Sequence, residues 1–422
     1  MGEVKLLSLI FIIAVALVSA RIPNEVNKRK AYDGFERDLP DIYMDTPELI
    51  EYYGYPVEKH VVETEDGYLL TMHRIPHGKD LSPAGNRSVV YLQHGLSCSS
   101  SDWVIMGPGK GLAYILADEG YDVWMGNIRG NLYSRAHAWL SPEESTFWQF
   151  TWDQMGRYDL PAQIDHILNQ TGHEQLFYVG HSMGTTMFYV MGAMRPEYNS
   201  KIIAQFSLAP VGFMGRLQTP ISYLAKFVNQ LEWIADKLGI NEFLPNSDLL
   251  DSIGATLCKD EAITQSLCSN ILFLLCGYDS KQLNDTMIPV IIGHVPAGTS
   301  TKTIIHYAQE VNSGRFSRFD YGKVENLRIY GQEVPPDYNL SLVTAPIYLH
   351  YAENDWLANV EDVMDLSNKL PNVVEKLEVS DHDFNHLDFL WAIDVKELVY
   401  NNITMLMKKH LNSRLHSNRR QS

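Results

Sequence analysis

LFYVGHSMGTTMFYVMGAM, residues Leu176–Met194, joins a short apolar run to an apolar stretch of helical length through one tight turn. Leu176–Val179 has the character of a buried strand, and the turn itself is Gly180-His181-Ser182-Met183-Gly184. A glycine on each side of a serine at a strand-to-helix junction predicts a nucleophile elbow, because the serine takes unusual backbone angles and its neighbours have no room for a Cβ atom. Ser182 Oγ is then expected at the carboxyl edge of a parallel sheet. The competing reading is an ordinary βα turn with Ser182 as N-cap. Partners elsewhere in the chain decide between the two.

Upstream, Val57–Thr64 and Tyr68–Ile75 alternate like strands around the turn Glu65-Asp66-Gly67, which predicts an antiparallel hairpin. Val89–Gln93 and Tyr121–Gly126 are short, apolar and separated by a stretch long enough for a helix, as buried parallel strands are. A helix is expected over Leu160–Leu168, broken at Thr171-Gly172, and a further strand over Ile202–Leu208. The pattern then changes. Thr219-Pro220 reads as a helix start, with Leu224, Phe227, Val228, Leu231, Ile234, Ala235 and Leu238 on one stripe ending at Gly239. Strand character resumes at Ala345–Tyr351, followed by a helix over Val360–Leu370, a strand over Val373–Val379 and a final helix from about Leu387. The intervening residues therefore read as an insertion between two strands of one sheet. The expected organisation is a signal peptide at 1–20, an N-terminal extension at 21–40, core at 41–210, a cap and lid insertion at 211–340, core again at 341–410 and a basic tail at 411–422.

Composition bounds the setting. Lys5, the apolar run Leu6–Val18 and the small residues Val18-Ser19-Ala20 have the form of a secretory signal peptide, and the run is short for a membrane span. Sequons at Asn86, Asn169, Asn284, Asn339 and Asn402 suit a secreted or lumenal chain. With 34 basic against 51 acidic residues, the formal charge of −17 argues against a nucleic-acid partner. Lys28-Arg29-Lys30 and Arg414–Arg420 read as solvated ends, the first also as a processing site. Of the 4 cysteines, Cys258 and Cys268 are placed to close a local loop, although spacing alone allows other pairings with Cys98 and Cys276. One local disulfide and two buried thiols are expected, with Cys98 a small apolar residue rather than a nucleophile.

A serine that attacks an acyl carbon needs a base, a carboxylate to orient that base and donors for the oxyanion. In α/β-hydrolases the order along the chain is serine, acid, histidine. Here PIYLHYAENDWLA puts Asp355 after one strand and SDHDFNHLDF puts His386 after the next, both at the sheet edge expected for Ser182. Asp362, Asp365, Asp381 and Asp383 are rival acids, and His382 is a rival base. His382 and His386 also have the spacing of metal ligands on a helix, but no third ligand or cysteine cluster accompanies them, so neither metal nor cofactor is expected. His94-Gly95-Leu96 follows the third strand, where the fold places one oxyanion donor. The backbone N–H groups of Leu96 and Met183 are the candidates.

Long blocks in order now resemble the animal acid lipases, the family of gastric and lysosomal acid lipase. They are Glu65-Asp66-Gly67-Tyr68, His94-Gly95-Leu96, DVWMGNIRGNLYSRAH (Asp122–His137), FWQFTWDQMGRYDLPA (Phe147–Ala162), GHSMGTT (Gly180–Thr186), PAGTSTK (Pro296–Lys302), NDWLANVEDV (Asn354–Val363) and FNHLDFLW (Phe384–Trp391). The resemblance implies an α/β-hydrolase fold, a mostly parallel sheet with a helical cap and lid, and a Ser182, Asp355, His386 triad. It further implies an oxyanion hole from Leu96 and Met183 and a cap disulfide matching Cys258 and Cys268. Met183 stands where many members carry Gln, a change the hole tolerates because the backbone N–H is the donor. The expected activity is hydrolysis of neutral-lipid esters at a lipid–water interface, triacylglycerol first and sterol esters second. The alternatives are a soluble short-chain carboxylesterase and a lipid-binding or storage protein without turnover. Three intact catalytic positions count against the last.

Overall fold

The computed structural model describes residues 40–220, 222–244, 276–279 and 281–421. The expected signal peptide, the Lys28-Arg29-Lys30 stretch, Cys258 and Cys268 lie outside the described residues. A 9-stranded sheet organises the chain. Its strands are β1 (Glu58–Glu63), β2 (Tyr68–Ile75), β3 (Val89–Gln93), β4 (Asp122–Met125), β5 (Ala136–His137), β6 (Leu176–His181), β7 (Ile202–Leu208), β10 (Ile347–Tyr351) and β11 (Val373–Glu378). Between β7 and β10, β8 (Glu242–Phe243) and β9 (Thr299–Ser300) form a separate antiparallel pair. The sheet order is β1-β2-β4-β3-β6-β7-β10-β11, with β5 on β2. Every neighbour from β4 to β11 is parallel, and the predicted hairpin supplies the antiparallel end.

β3, β4 and β6 are buried at every residue. Successive side chains of a strand point to opposite faces, so unbroken burial means that both faces of the sheet centre are covered. Each Val, Leu or Phe enclosed there contributes about 1.5–3 kcal/mol. The helix Met183–Met194 that follows β6 is buried over all but its last residue, which explains why its sequence is apolar all round. The helix Leu160–Thr171 ends at Gly172 in the left-handed conformation, the break expected from sequence. Asp66, in the hairpin turn, is tied to the loop after β4 by Arg129, whose guanidinium is fully enclosed. Its nitrogens donate to Asp66 at 2.6 and 2.8 Å and to Asp159 at 2.7 Å, and its plane lies 4.0 Å from the Tyr68 ring centre.

Three expectations need correction. The helix expected from Thr219-Pro220 to Leu238 is two pieces, Ser222–Ala225 and Val228–Leu238. Ala225 gives its carbonyl to Asn312 Nδ2 at 2.5 Å, which stops the first piece, and Thr219 Oγ1 has no partner among the described residues. Of the expected stripe, Val228 is buried with Ile305 and Phe319, whereas Phe227, Ile234 and Leu238 are exposed. The final helix is also divided, because Ala392 bridges Leu283 and the Ile393 and Asp394 amides bond to Gln282 between Asp388–Trp391 and the next helical turn. The last helix, Asn401–Gln421, runs on through the residues expected as a solvated tail.

Candidate active site

Ser182 sits between β6 and the helix Met183–Met194 with φ 52° and ψ −119°, a backbone strain the surroundings enforce. Its N–H donates to Leu208 O on β7 at 3.0 Å. A Cβ added at Gly184 would lie 2.3 Å from Gln93 O, and one at Gly180 would lie 2.8 Å from Gly184 C. Glycine is required at both positions by contact with backbone, as the elbow reading expected.

β10 leads into the loop that carries Asp355, and β11 into the loop that carries His386. Both loops close on Ser182. Ser182 Oγ and His386 Nε2 are 2.8 Å apart, and His386 Nδ1 is 2.9 and 2.8 Å from the two Asp355 oxygens. Asp355 Oδ1 also accepts the N–H groups of Leu357 at 2.9 Å and Ala358 at 2.7 Å, which fixes the carboxylate. Asp355 and His386 are buried while Ser182 is partly exposed, so the serine faces outward from a dry support. The rival residues are engaged elsewhere. Asp362 and Asp365 hold Arg216 at 2.6 and 2.8 Å, Asp383 holds Lys281 at 2.7 Å, and His382 is an exposed partner of Glu353 at 2.8 Å.

Gly95 brings the third-strand loop against the elbow, and a Cβ built on it would be 3.2 Å from that of Ser182. The backbone N–H groups of Leu96 and Met183 have no protein acceptor among the described residues. Both are therefore free to donate to a bound oxygen. His94 stiffens this loop by donating from Nδ1 to Gly95 O at 2.8 Å, which leaves Nε2 to accept from Ile128 N at 3.4 Å. Burial pushes His94 down to about 4, so the ring stays neutral.

Sequence reasoning missed a second set of supports. His181, beside Ser182, donates from Nε2 to the His386 backbone carbonyl at 3.0 Å, and burial pushes it down to about 3. Residues 276–279 and 281–283 form a clip across the two loops. Cys276 O accepts from Trp356 N at 3.4 Å and His386 N at 3.5 Å, Gly277 O accepts from Asn385 Nδ2 at 3.1 Å, and Tyr278 O accepts from Asn354 Nδ2 at 2.9 Å. The only signal in the sequence was the dense run of Asn and Asp around the two loops. Cys98 and Cys276 are buried free thiols, as expected.

Known proteins bear directly on this arrangement. The model of the α/β hydrolase fold matches residues 88–393, and that of the partial α/β-hydrolase lipase region matches residues 46–107. Rat gastric triacylglycerol lipase is 42% identical over 373 residues, covering 87% of this chain and 92% of its own. The chain belongs to the acid lipase family of α/β-hydrolases. Human lysosomal acid lipase/cholesteryl ester hydrolase is likewise 42% identical, over 88% of this chain and 92% of its own, and Lipase 3 of Drosophila melanogaster is 43% identical over 87% and 93%. A soluble variant of monoglyceride lipase from Saccharomyces cerevisiae shares the fold at a TM-score of 0.50 and 16% identity, over 85% of this chain and 98% of that one. As a member of the acid lipase family the chain is a lipase, a serine hydrolase of the esterase type.

Of the sequon asparagines, Asn86, Asn169 and Asn339 are exposed and Asn284 and Asn402 half-buried, with Asn402 Oδ1 turned to His350 Nε2 at 3.5 Å. A cavity of about 650 Å³ lies between the helices Val228–Leu238 and Thr301–Ser313, and neither Ser182, His386 nor Asp355 lines it. No helix among the described residues is long and apolar enough to cross a membrane.

Proposed function

We propose that this lipase hydrolyses carboxylic esters of neutral lipids, triacylglycerols first and sterol esters second, through an acyl-enzyme on Ser182. The observation that carries the reading is the unbroken line from Ser182 Oγ through His386 to a doubly capped Asp355. His386 takes the hydroxyl proton as Oγ attacks the ester carbonyl, and Asp355 holds the imidazole tautomer and balances its charge. Leu96 and Met183 N–H receive the oxyanion. His386 returns the proton to the departing alcohol, and water repeats the cycle on the acyl-enzyme.

The relatives named for triacylglycerol and cholesteryl ester supply the substrate class. An apolar surface supports it. Between β7 and β10, Tyr223, Phe227, Trp233, Ile234 and Leu238 are all exposed, with Tyr223 at 61% and Trp233 at 62%, a density suited to an oil–water boundary. We assign this segment, residues 211–340, as the cap that contacts lipid and excludes water from the tetrahedral intermediate. A secreted or lumenal setting, with a Cys258–Cys268 bridge and glycans on exposed sequons, completes the proposal.

The test is fatty-acid release from emulsified long-chain triacylglycerol and from a soluble short-chain ester, with Ser182→Ala as control. Release from the emulsion that vanishes in the variant is expected. Release from the soluble ester alone would make the protein a carboxylesterase, and none from either by folded protein would point to a binding role.

A further inference from the structure

We propose that Asp388 and Asp279 share one proton, that this bond holds the His386 loop on the clip that carries Asp279, and that ionisation of the pair loosens it. Both are positioning residues. The inference rests on His386 being the base for Ser182.

The geometry starts one residue before the base. Asn385 N–H donates to Asp388 Oδ2 at 2.6 Å, Asn385 Oδ1 accepts from Leu387 N at 2.8 Å, and Asn385 Nδ2 reaches Gly277 O at 3.1 Å. Asp388 is thus built into the turn that presents His386. Its carboxyl is also in hydrogen-bond contact with that of Asp279, which comes from the clip. Asp279 Oδ1 already accepts two backbone N–H groups, of Lys281 at 2.8 Å and Gln282 at 3.1 Å. Asp279 Oδ2 is buried and has no other donor among the described residues. Two ionised carboxylates have no proton to place between them and repel, whereas one proton turns the same contact into a strong bond. Exposures of 4% for Asp388 and 1% for Asp279 leave little water to replace it.

The surroundings favour the shared proton. Asp381 faces the pair and accepts from Gln282 Nε2 at 3.1 Å, a nitrogen that also lies 3.3 Å from Asp394. Lys281, whose charge is felt at Asp279, is exposed and holds Asp383. The Cys276 thiol is buried and pushed up by that burial, then by Asp355 and Asp388, so it stays neutral and adds no charge. His386 directs its ring to Asp355 and Ser182. Burial pushes Asp388 up to about 8 and raises Asp279 as well, so the bond survives in mildly acidic and neutral solution and fails in alkali.

The test follows the labelling rate of Ser182 by a fluorophosphonate against pH, for the full-length protein and for Asp388→Asn, Asp279→Asn and Asp388→Ala. The wild-type rate is expected to fall in alkali. In Asp388→Asn the amide oxygen still accepts from Asn385 and the amide N–H donates to Asp279 at every pH, so the locked form persists. One pH unit above the wild-type midpoint, where about a tenth of the pair keeps its proton, this variant should label about tenfold faster than wild type. Asp279→Asn should do the same from the other side of the contact, and Asp388→Ala should be slower throughout. A wild-type rate that stays level into alkali, or alkaline limbs that coincide in wild type and both amide variants, would overturn the inference alone. No labelling of folded wild type at any pH would sink the assignment of Ser182 and His386, and this inference with it.

Discussion

Among the described residues His181 makes one hydrogen bond with its ring, to the backbone carbonyl of His386, the proposed base. Its Nδ1 is buried without a partner among the described residues, and a Cβ at position 95 would lie 3.2 Å from it, so glycine there leaves the ring its place. Replacing it with Leu removes the donor and leaves the His386 carbonyl buried and unbonded, a loss of about 1 kcal/mol in positioning. Steady-state kinetics of His181→Leu should therefore show kcat down about fivefold to tenfold with KM unchanged. A proportionate rise in KM would mean that His181 shapes the substrate site instead. Ser182, Asp355 and His386 could be named as candidates from sequence because each follows a run with strand character. Their supports could not. His181, Asn385 and Asp388 act through backbone groups of residues distant in the chain or through turns too short to have a period, and composition does not encode such contacts.

At the scale of elements, the central parallel strands β3 and β6 were legible because full burial leaves them largely apolar, and β2, β3 and β7 begin and end where the sequence pattern does. The division of the last helices was not, since Ala392–Asp394 is broken by the clip rather than by Gly or Pro. The split at Ala225 has the same kind of cause, a side chain from another helix. Arg129 shows how far one residue can join elements. It binds the hairpin turn through Asp66 and the start of the helix Leu160–Thr171 through Asp159, and both its own side chain and that of Asp159 are fully enclosed. Arg129→Met would leave Asp159 buried without its counter-charge. A loss of about 3–5 kcal/mol is expected in urea unfolding, and Arg129→Lys should recover only part because a single ammonium cannot match the two-sided fork. A melt indistinguishable from wild type would show that the network is dispensable.

Over the whole molecule, two sets of buried groups oppose each other with pH. Burial raises Asp102 to about 7, Asp388 to about 8 and Glu310 well above the ordinary carboxyl range. Unfolded, these ionise near 4, so above that the native state holds more protons and stability falls as pH rises through 7 and 8. Burial also lowers His73, His181 and His306 to about 3 and His94 and His350 to about 4. Unfolded, these take up protons near 6.5, so their contribution is present above that pH and lost as it falls toward 3. Above pH 6.5 the histidine contribution is complete and only the carboxyls still change, whereas toward acid the histidine loss is added, so a melting temperature that peaks near pH 6.5 and declines on both sides is expected. Scanning calorimetry between acid and alkali checks this, and a melting temperature still rising beyond pH 8 would contradict it.

The strand order carries one more consequence. Ser182 hangs from β6, which has a hydrogen-bonded neighbour on each side, whereas His386 follows β11, which among the described residues has only β10 and is partly open to water. Ser182 is mounted at the centre of the sheet and His386 at its rim. Rims fray first. Warming is thus expected to silence this lipase by peeling back a single strand, before the interior that holds the serine melts.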